Sequence, residues 1–156
     1  MEINNRVEVV TGGARRVGKA IALGLAAAGA QVFVHYNSSA GPAEETLAEI
    51  QASGGTGAIG AVNLGDPEVA PSLIGMATEA LGTPSILVNS ASGFATDTLA
   101  DVTLDGWRRS QDLTLSSPVF LTQAFAAALG EGDQGAVINI TDVRTLSPYQ
   151  KHFSYV

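Results

Sequence analysis

The segment Thr11–Gly18, which reads TGGARRVG, constrains the fold more than any other part of the chain. A mostly apolar run, Val7–Val10, precedes it, and an alanine- and leucine-rich stretch, Val17–Ala28, follows it. Glycines between a strand and a helix let the backbone approach an anionic group, and the unpaired N–H groups that begin the helix attract that group. In this context Gly12 and Gly18 predict a loop that binds the pyrophosphate of a dinucleotide.

Two other interpretations of this segment have less support. A glycine cluster without its strand and helix is more often an ordinary turn. A mononucleotide-binding P-loop needs Ser or Thr after its lysine to bind Mg²⁺, whereas Ala20 follows Lys19 here.

The rest of the chain repeats the alternation of short β-branched runs with longer alanine- and leucine-rich stretches. This alternation predicts an α/β fold of the Rossmann type, a doubly wound parallel sheet with helices on both faces. The predicted strands are Val7–Val10, Gln31–Tyr36, Ala58–Val62, Ser85–Val88 and Ala136–Thr141, and the predicted helices lie near Val17–Ala28, Pro42–Ser53, Pro67–Leu81 and Leu104–Leu129. Because 156 residues can bury one core, we expect a single domain over residues 1–156.

Composition excludes several classes of function. A net charge of −7 with only 8 lysines and arginines argues against a nucleic-acid partner. The chain has no cysteine, and His35 and His152 lie far apart, so we expect no metal site. The N-terminal residues lack the charged-then-apolar order of a signal peptide, and no apolar run approaches the about 20 residues that span a bilayer. We therefore expect a cytoplasmic protein without a membrane partner.

The end of the second predicted strand distinguishes NAD from NADP, because an NAD site places a carboxylate there. The stretch at this point is His35, Tyr36, Asn37 and Ser38. It contains no acid, and Arg15 and Arg16 of the glycine loop can pair with the 2′-phosphate of NADP. We therefore predict NADPH as the cofactor, bound by this stretch and by Gly12, Arg15, Arg16, Val17 and Gly18. The other interpretation is that both arginines are ordinary solvated loop residues.

The segment after the fourth predicted strand, Asn89–Phe94, reads NSASGF. Together with the glycine loop, it resembles the short-chain dehydrogenase/reductase family and, within it, the pteridine reductases. Those reductases carry an arginine two places before the last glycine of the loop, as Arg16 does here. They also carry an Asn-Ala-Ser segment followed by an aromatic residue that stacks on the pterin. The resemblance implies that Asn89, Ser90 and Ala91 contact the cofactor and that Ser92 and Phe94 contact the substrate. Taken alone, Phe94 is more often a core or loop aromatic.

The resemblance extends to the proposed chemistry. Asp142 lies thirteen residues before Tyr155. The family usually has its catalytic serine at that spacing, and the pteridine reductases have an aspartate, so Asp142 and Tyr155 are implied to be the proton-relay pair. Tyr149 is a rival at a different spacing, and packing of Tyr155 on the sheet is the structural alternative.

Three positions depart from the family pattern. Thr114 stands where many members have the asparagine that holds a relay water, and a hydroxyl can also bind water. Asn63, next to Leu64, stands where the family usually has the aspartate that faces the adenine ring. The family lysine belongs four residues after the tyrosine, beyond Val156. We therefore expect the sequence to be part of a longer subunit, without its last strands, and nearly inactive alone, because a phenol of pKa about 10 is a poor acid near neutral pH.

These features predict an NADPH-dependent reductase of a pteridine, with Tyr155 as proton donor. One alternative is an NADPH-dependent carbonyl reductase of the 3-oxoacyl thioester type. Asp142 counts against it, because a carboxylate suits the amino groups of a pterin and a neutral hydroxyl suits a carbonyl. The other alternative is a non-catalytic NADP-binding module. The resemblance also implies a homotetramer that acts on a small molecule.

Overall fold

The computed structural model describes residues 2–147 and 150–155, so Tyr149, the rival tyrosine, lies outside the described residues. Its five strands are β1 (Val7–Val10), β2 (Gln31–Tyr36), β3 (Thr56–Ala61), β4 (Ile86–Asn89) and β5 (Ala136–Asn139). All pair in parallel, in the order β3-β2-β1-β4-β5. The predicted α/β fold with a parallel sheet is therefore confirmed.

Helices connect the strands and cover both faces of the sheet. They are α1 (Arg16–Ala27), α2 (Ala40–Ala52), α3 (Ser72–Leu81), α4 (Leu104–Gln111) and α5 (Ser117–Ala128). A π-helical segment, Asp112–Ser116, joins α4 to α5, and a short 3₁₀ helix, Val143–Thr145, follows β5. None of the helices in the described ranges is long and apolar enough to cross a membrane.

Two predicted helices are wrong in detail, and prolines explain both. The helix predicted from Pro67 begins at Ser72, because Pro71 disfavours helical backbone at the residue before it. The helix predicted over 104–129 is interrupted by the π-helical segment. Pro118 has no N–H to donate to the carbonyl of Thr114, and the Ser117 N–H donates instead to Asp112, five residues back.

Three predicted strands also have different bounds, and β4 begins and ends one residue later than the predicted Ser85–Val88. β3 begins two residues before the predicted Ala58, and all six of its residues pair with the six of β2. Its glycines conceal it in the sequence because glycine is uncommon in strands. Gly60 is required there, since a Cβ would come within 2.5 Å of the Phe33 ring. β5 ends at Asn139, two residues before the predicted Thr141, which leaves the residues from Ile140 onward to form the loop of the site.

Apolar side chains form one cluster on each face of the sheet. On one face Val9, Leu87 and Leu121 belong to a cluster built with α3 and α5. On the other face Val10 and Val88 belong to a cluster built with α1 and α2. Because the central strands are covered on both faces, they are apolar almost throughout, and their carboxyl ends meet at one edge of the sheet.

Glu8 is the exception in this core. It lies on β1 between its register partners Val32 and Ile86, and it is fully buried. Neither of its carboxylate oxygens has a hydrogen-bond partner among the described residues. Burial raises the pKa of Glu8 from 4.5 to about 7, so the side chain is protonated in the folded chain under mildly acidic conditions.

This burial predicts a pH-dependent stability. Because the pKa of Glu8 is higher in the folded chain than in the unfolded chain, its contribution is complete below pH 4.5 and is lost as the pH rises through about 7. We expect Glu8→Gln to raise the free energy of unfolding at pH 8 by about 1–3 kcal/mol and to leave it nearly unchanged at pH 4.5. Urea denaturation across this range measures the difference. Glu45→Gln, which changes an exposed residue, is the matched control. If the free energy of unfolding of Glu8→Gln changed with pH as steeply as that of wild type, the prediction would be contradicted.

Candidate active site

The loops that follow β1 and β4 are joined by one buried hydroxyl. Thr11 is 1% exposed, and its Oγ1 accepts hydrogen bonds from the backbone N–H groups of Ser90 and Ala91, both at 2.9 Å. The next residue, Gly12, has a φ of +64°, and a Cβ there would lie 2.9 Å from the Cα of Ala91. Only glycine therefore allows these two loops to approach so closely.

The buried ring of His35 is hydrogen-bonded to the glycine loop. Its ring accepts a hydrogen bond at Nδ1 from the N–H of Gly12 (3.0 Å) and donates from Nε2 to the carbonyl of Val62 (2.9 Å). This pattern requires a neutral ring, and burial lowers the pKa of His35. The sequence predicts that His35 contacts the cofactor. Its side chain is 2% exposed and contacts the backbone of the glycine loop, so the predicted contact with the cofactor stays a prediction.

The first turn of α1 is open toward the same edge of the sheet. No side chain caps the helix, which begins at Arg16. A Cβ at Gly18 would collide with the carbonyl of Gly12, so the helix packs directly on the loop. Arg15, Arg16 and Val17 are exposed there. Uncapped N–H groups beside two guanidinium groups form a site suited to phosphate.

The backbone of Arg16 has an unusual conformation. Its φ is +49°, in the left-handed region that favours glycine. A side chain in this conformation costs about 1 kcal/mol or more, and such strain concentrates at functional sites.

The predicted residues after β2 and β3 differ in exposure. Asn37 and Ser38 are exposed, and Tyr36 is half-buried. Asn63 is also exposed, and its Oδ1 accepts a hydrogen bond from the N–H of Gly65. The predicted Leu64 is 3% exposed, which leaves mainly its backbone for a ligand, and its carbonyl already accepts a hydrogen bond from Ser117.

A cavity of about 920 Å³ lies at the carboxyl ends of β4 and β5. It brings together the predicted residues Val17, Asn89, Ser90, Ala91, Ser92, Thr114, Asp142 and Tyr155. Asn89 lines it, and its Nδ2 donates to Oδ1 of Asn139 at 2.8 Å. The Asn89 Oδ1 is buried and has no partner among the described residues. A water or ligand donor in the cavity can satisfy this acceptor.

Tyr155 and Asp142 meet in this cavity. The Tyr155 hydroxyl donates to Oδ2 of Asp142 at 3.2 Å. The other carboxylate oxygen of Asp142 accepts the N–H of Arg144 at 2.9 Å, which fixes the orientation of the carboxylate. Both side chains are half-buried, and they lie at the distance that a proton relay requires.

Thr114 reaches the cavity from the π-helical segment. Its hydroxyl donates to the carbonyl of Ser110 at 2.7 Å, so its lone pairs, and not its proton, remain for water. Other helical residues also line the cavity and were not identified from the sequence. They include Trp107, Gln111, Leu115, Pro118, Val119 and Thr122. Their recurrence every three or four residues is the helical spacing that could have identified one face of the segment.

Phe94 does not line this cavity, although the predicted Ser92 does. The Phe94 ring is 55% exposed and stacks on the His152 imidazole, with ring centroids 3.8 Å apart and planes inclined by 21°. Its edge contact with Tyr155 has centroids 5.0 Å apart and an angle of 78°. Phe94 therefore lies beside the Tyr155–Asp142 pair, and one of its faces is covered by His152.

The geometry agrees with comparisons to known proteins. The sequence profile of the short chain dehydrogenase family matches residues 6–156. The chain belongs to the short-chain dehydrogenase family. It is similar to a 3-oxoacyl-[acyl-carrier-protein] reductase of Synechocystis, with 34% identity over 152 residues that cover 96% of this chain and 61% of the reductase.

Solved structures of the family superpose closely on the chain. One is FolM alternative dihydrofolate reductase 1 from Brucella canis complexed with NADP, with a TM-score of 0.92, 34% identity, and coverage of 99% of this chain and 61% of that one. Another is a short chain dehydrogenase from Burkholderia cenocepacia in complex with NADP, with a TM-score of 0.90, 32% identity, and coverage of 99% and 63%. The chain thus spans about three fifths of the length of these relatives.

The Thr11 hydroxyl provides a direct test of how the site is held together. We expect Thr11→Val, which keeps the shape and removes the acceptor, to lower the free energy of unfolding by about 2–4 kcal/mol, because two N–H groups lose their partner. Thr11→Ser keeps the hydroxyl and should cost about 1 kcal/mol or less for the lost methyl group. Urea denaturation of the two variants measures both values, and equal losses would show that the hydroxyl is not the joint between the loops.

Proposed function

We propose that the protein is an NADPH-dependent reductase of a pteridine, with a dihydropterin or a dihydrofolate-like compound as substrate. One observation carries the substrate class. The tyrosine hydroxyl in the cavity is hydrogen-bonded to a carboxylate, Asp142, where most of the family is expected to have serine. A carboxylate accepts hydrogen bonds from the amino groups of a pterin, whereas a ketone offers no donor to it.

Several features of the site support NADPH as the cofactor. The uncapped start of α1 suits the pyrophosphate, and Arg15 and Arg16 suit the additional 2′-phosphate. Asn37 and Ser38 provide donors without the carboxylate that an NAD site uses. The NADP complexes of the Brucella and Burkholderia proteins agree with this choice. When bound, NADPH supplies the hydride.

The protein side chains in this proposal manage the proton. Tyr155 donates its phenolic proton to the substrate, and Asp142 orients the phenol and binds the substrate's amino group. Thr114 can accept a hydrogen bond from a water molecule, since its own proton is held by Ser110. That water provides a route for returning a proton to Tyr155.

The second candidate is a 3-oxoacyl thioester reductase. Its support is the similarity to the Synechocystis enzyme, whose name states that activity. The third is a non-catalytic NADP-binding module, which shares the cofactor loop and requires no proton donor. The thioester reductase would turn over a different substrate, and the binding module would turn over none. An assay of NADPH oxidation with each substrate therefore separates the three candidates.

The proposal extends to organisation and assembly. Residues 1–156 would form a single NADP-binding domain, in a cytoplasmic homotetramer of the kind that the family resemblance implies. Phe120 of α5 is 43% exposed and does not line the cavity, and it is the kind of apolar side chain that a contact between subunits along this helix would cover.

Arg16 yields a prediction with two independent measurements. We expect Arg16→Gly to weaken NADPH binding about 10-fold and NADH binding much less, because only NADPH carries the 2′-phosphate. The same change should raise the free energy of unfolding by about 1 kcal/mol, because it relieves the left-handed strain. Arg16→Ala is the matched control: it should lose the same affinity without the gain in stability. Equal weakening of both cofactors would exclude a contact with the 2′-phosphate.

Substrate turnover tests the function itself. In the protein expressed from its complete gene, we expect NADPH oxidation with dihydrobiopterin or dihydrofolate and little with an acetoacetyl thioester. Tyr155→Phe should lower kcat about 100-fold or more and leave NADPH affinity unchanged, because it removes only the proton donor. Turnover of the thioester alone would replace the pteridine proposal with the second candidate. NADPH binding without any turnover would favour the binding module.

A further inference from the structure

His152 has no role in the proposed chemistry, yet it makes the closest ring contact in the described part of the site. Its imidazole lies over Phe94 with centroids 3.8 Å apart, closer than the about 4.5–7 Å of most aromatic pairs. We propose that His152 is a positioning residue, which covers one face of Phe94 and sets its ring at the angle that a flat substrate needs. This inference rests on the proposed function, because it assigns Phe94 to the substrate.

Hydrogen bonds from a different loop hold His152 in place. The His152 Nδ1–H donates to the carbonyl of Ala95 at 2.6 Å. The next two residues continue the connection, since Phe153 N donates to the carbonyl of Asp97 (3.1 Å) and Ser154 N donates to its carboxylate (3.0 Å). The bonds from Ser154 lower the pKa of Asp97, so the carboxylate stays charged and remains an acceptor. The loop after β4 and the segment that carries Tyr155 are thereby fastened together.

The backbone of His152 is consistent with a positional role. Its φ is +68°, in the left-handed region that few side chains adopt, although histidine adopts it more often than most residue types. Strained residues persist when their surroundings fix them, and they concentrate at ligand sites. Here the conformation places the imidazole on Phe94 while the N–H groups of the following residues reach Asp97.

The stack has a consequence for Tyr155. Phe94 also contacts Tyr155 edge to face, at 5.0 Å and 78°, so the orientation of one ring constrains the other. The Phe94 side chain is 55% exposed, so a ligand can reach the part of it that lies outside the contact with His152. A planar heterocycle placed against that ring would therefore be aligned relative to the phenol that donates the proton. His152 would act on substrate binding through Phe94, without touching the reacting atoms.

Two variants separate the ring from the hydrogen bond. His152→Asn keeps a donor for the Ala95 carbonyl and tolerates a left-handed backbone, but it has no ring. His152→Phe restores the ring without the donor. We expect His152→Asn to raise the KM for dihydrobiopterin, and its Kd in the NADP⁺ complex, about 5- to 10-fold, in proportion to one lost aromatic contact. Its kcat and NADPH affinity should stay within about 2-fold of wild type, and His152→Phe should recover most of the substrate affinity. Lys151→Asn is the matched control on the neighbouring exposed residue.

A second measurement does not depend on the substrate. In protein labelled with fluorophenylalanine, the ¹⁹F resonance of Phe94, assigned with Phe94→Leu, should move in His152→Asn because the imidazole no longer lies over the ring. An unchanged resonance, or unchanged substrate affinity in a wild-type protein that does bind dihydrobiopterin, would overturn the inference. Equal loss in both variants would also overturn it, because the hydrogen bond and not the ring would then matter. If wild type does not bind dihydrobiopterin but the resonance moves, the proposed function fails and the positioning of Phe94 stands.

Discussion

The hydrogen bonds from Ser90 and Ala91 to the Thr11 hydroxyl determine the shape of the site, because they lie where the order of the strands reverses. β1 and β4 are neighbours in the sheet, but the connections that leave them run to opposite sides, and a crevice opens above their carboxyl ends. Thr11 sets how close the two loops come within that crevice. The glycine loop on one side and the segment leading to Phe94 on the other are then held by the same buried atom. This single joint therefore sets the width of the crevice between the two loops.

Two buried titratable groups of the sheet, one of which is bonded to the glycine loop, contribute to stability with opposite dependence on pH. The pKa of His35 is lowered by burial, so its contribution to stability is present above pH 6.5 and is lost as the pH falls below that value. The pKa of Glu8 is raised, so its contribution is lost as the pH rises from 4.5 to about 7. Protonated His35 could no longer accept a hydrogen bond from the N–H of Gly12. The loss of stability at acidic pH therefore affects the glycine loop directly.

The sequence predicted the parts of the fold that depend on local pattern. The apolar runs located the central strands because these are buried on both faces, and β1 and β2 were predicted at their observed bounds. Local pattern did not show the π-helical segment, since the missing N–H of Pro118 matters only once the chain is helical on both sides of it. In the candidate site, the family resemblance implied that Asp142 and Tyr155 form a pair, and the two side chains are in contact. The inward turn of His35 and the stacking of His152 on Phe94 depend on residues far apart in the chain, and no spacing rule encodes them.

The distribution of backbone strain points to the same two loops. In the described part of the chain, three residues other than glycine have a positive φ, and one of them, Asn5, belongs to a residue type that tolerates it. The other two are Arg16, which begins α1, and His152, which stacks on the Phe94 ring. Glycine at either position would remove the strain and also the side chain. Arg16 is exposed, so its strained backbone is consistent with the ligand contact proposed for its guanidinium, whereas the imidazole of His152 packs on Phe94 and donates to the Ala95 carbonyl, contacts that a glycine would remove.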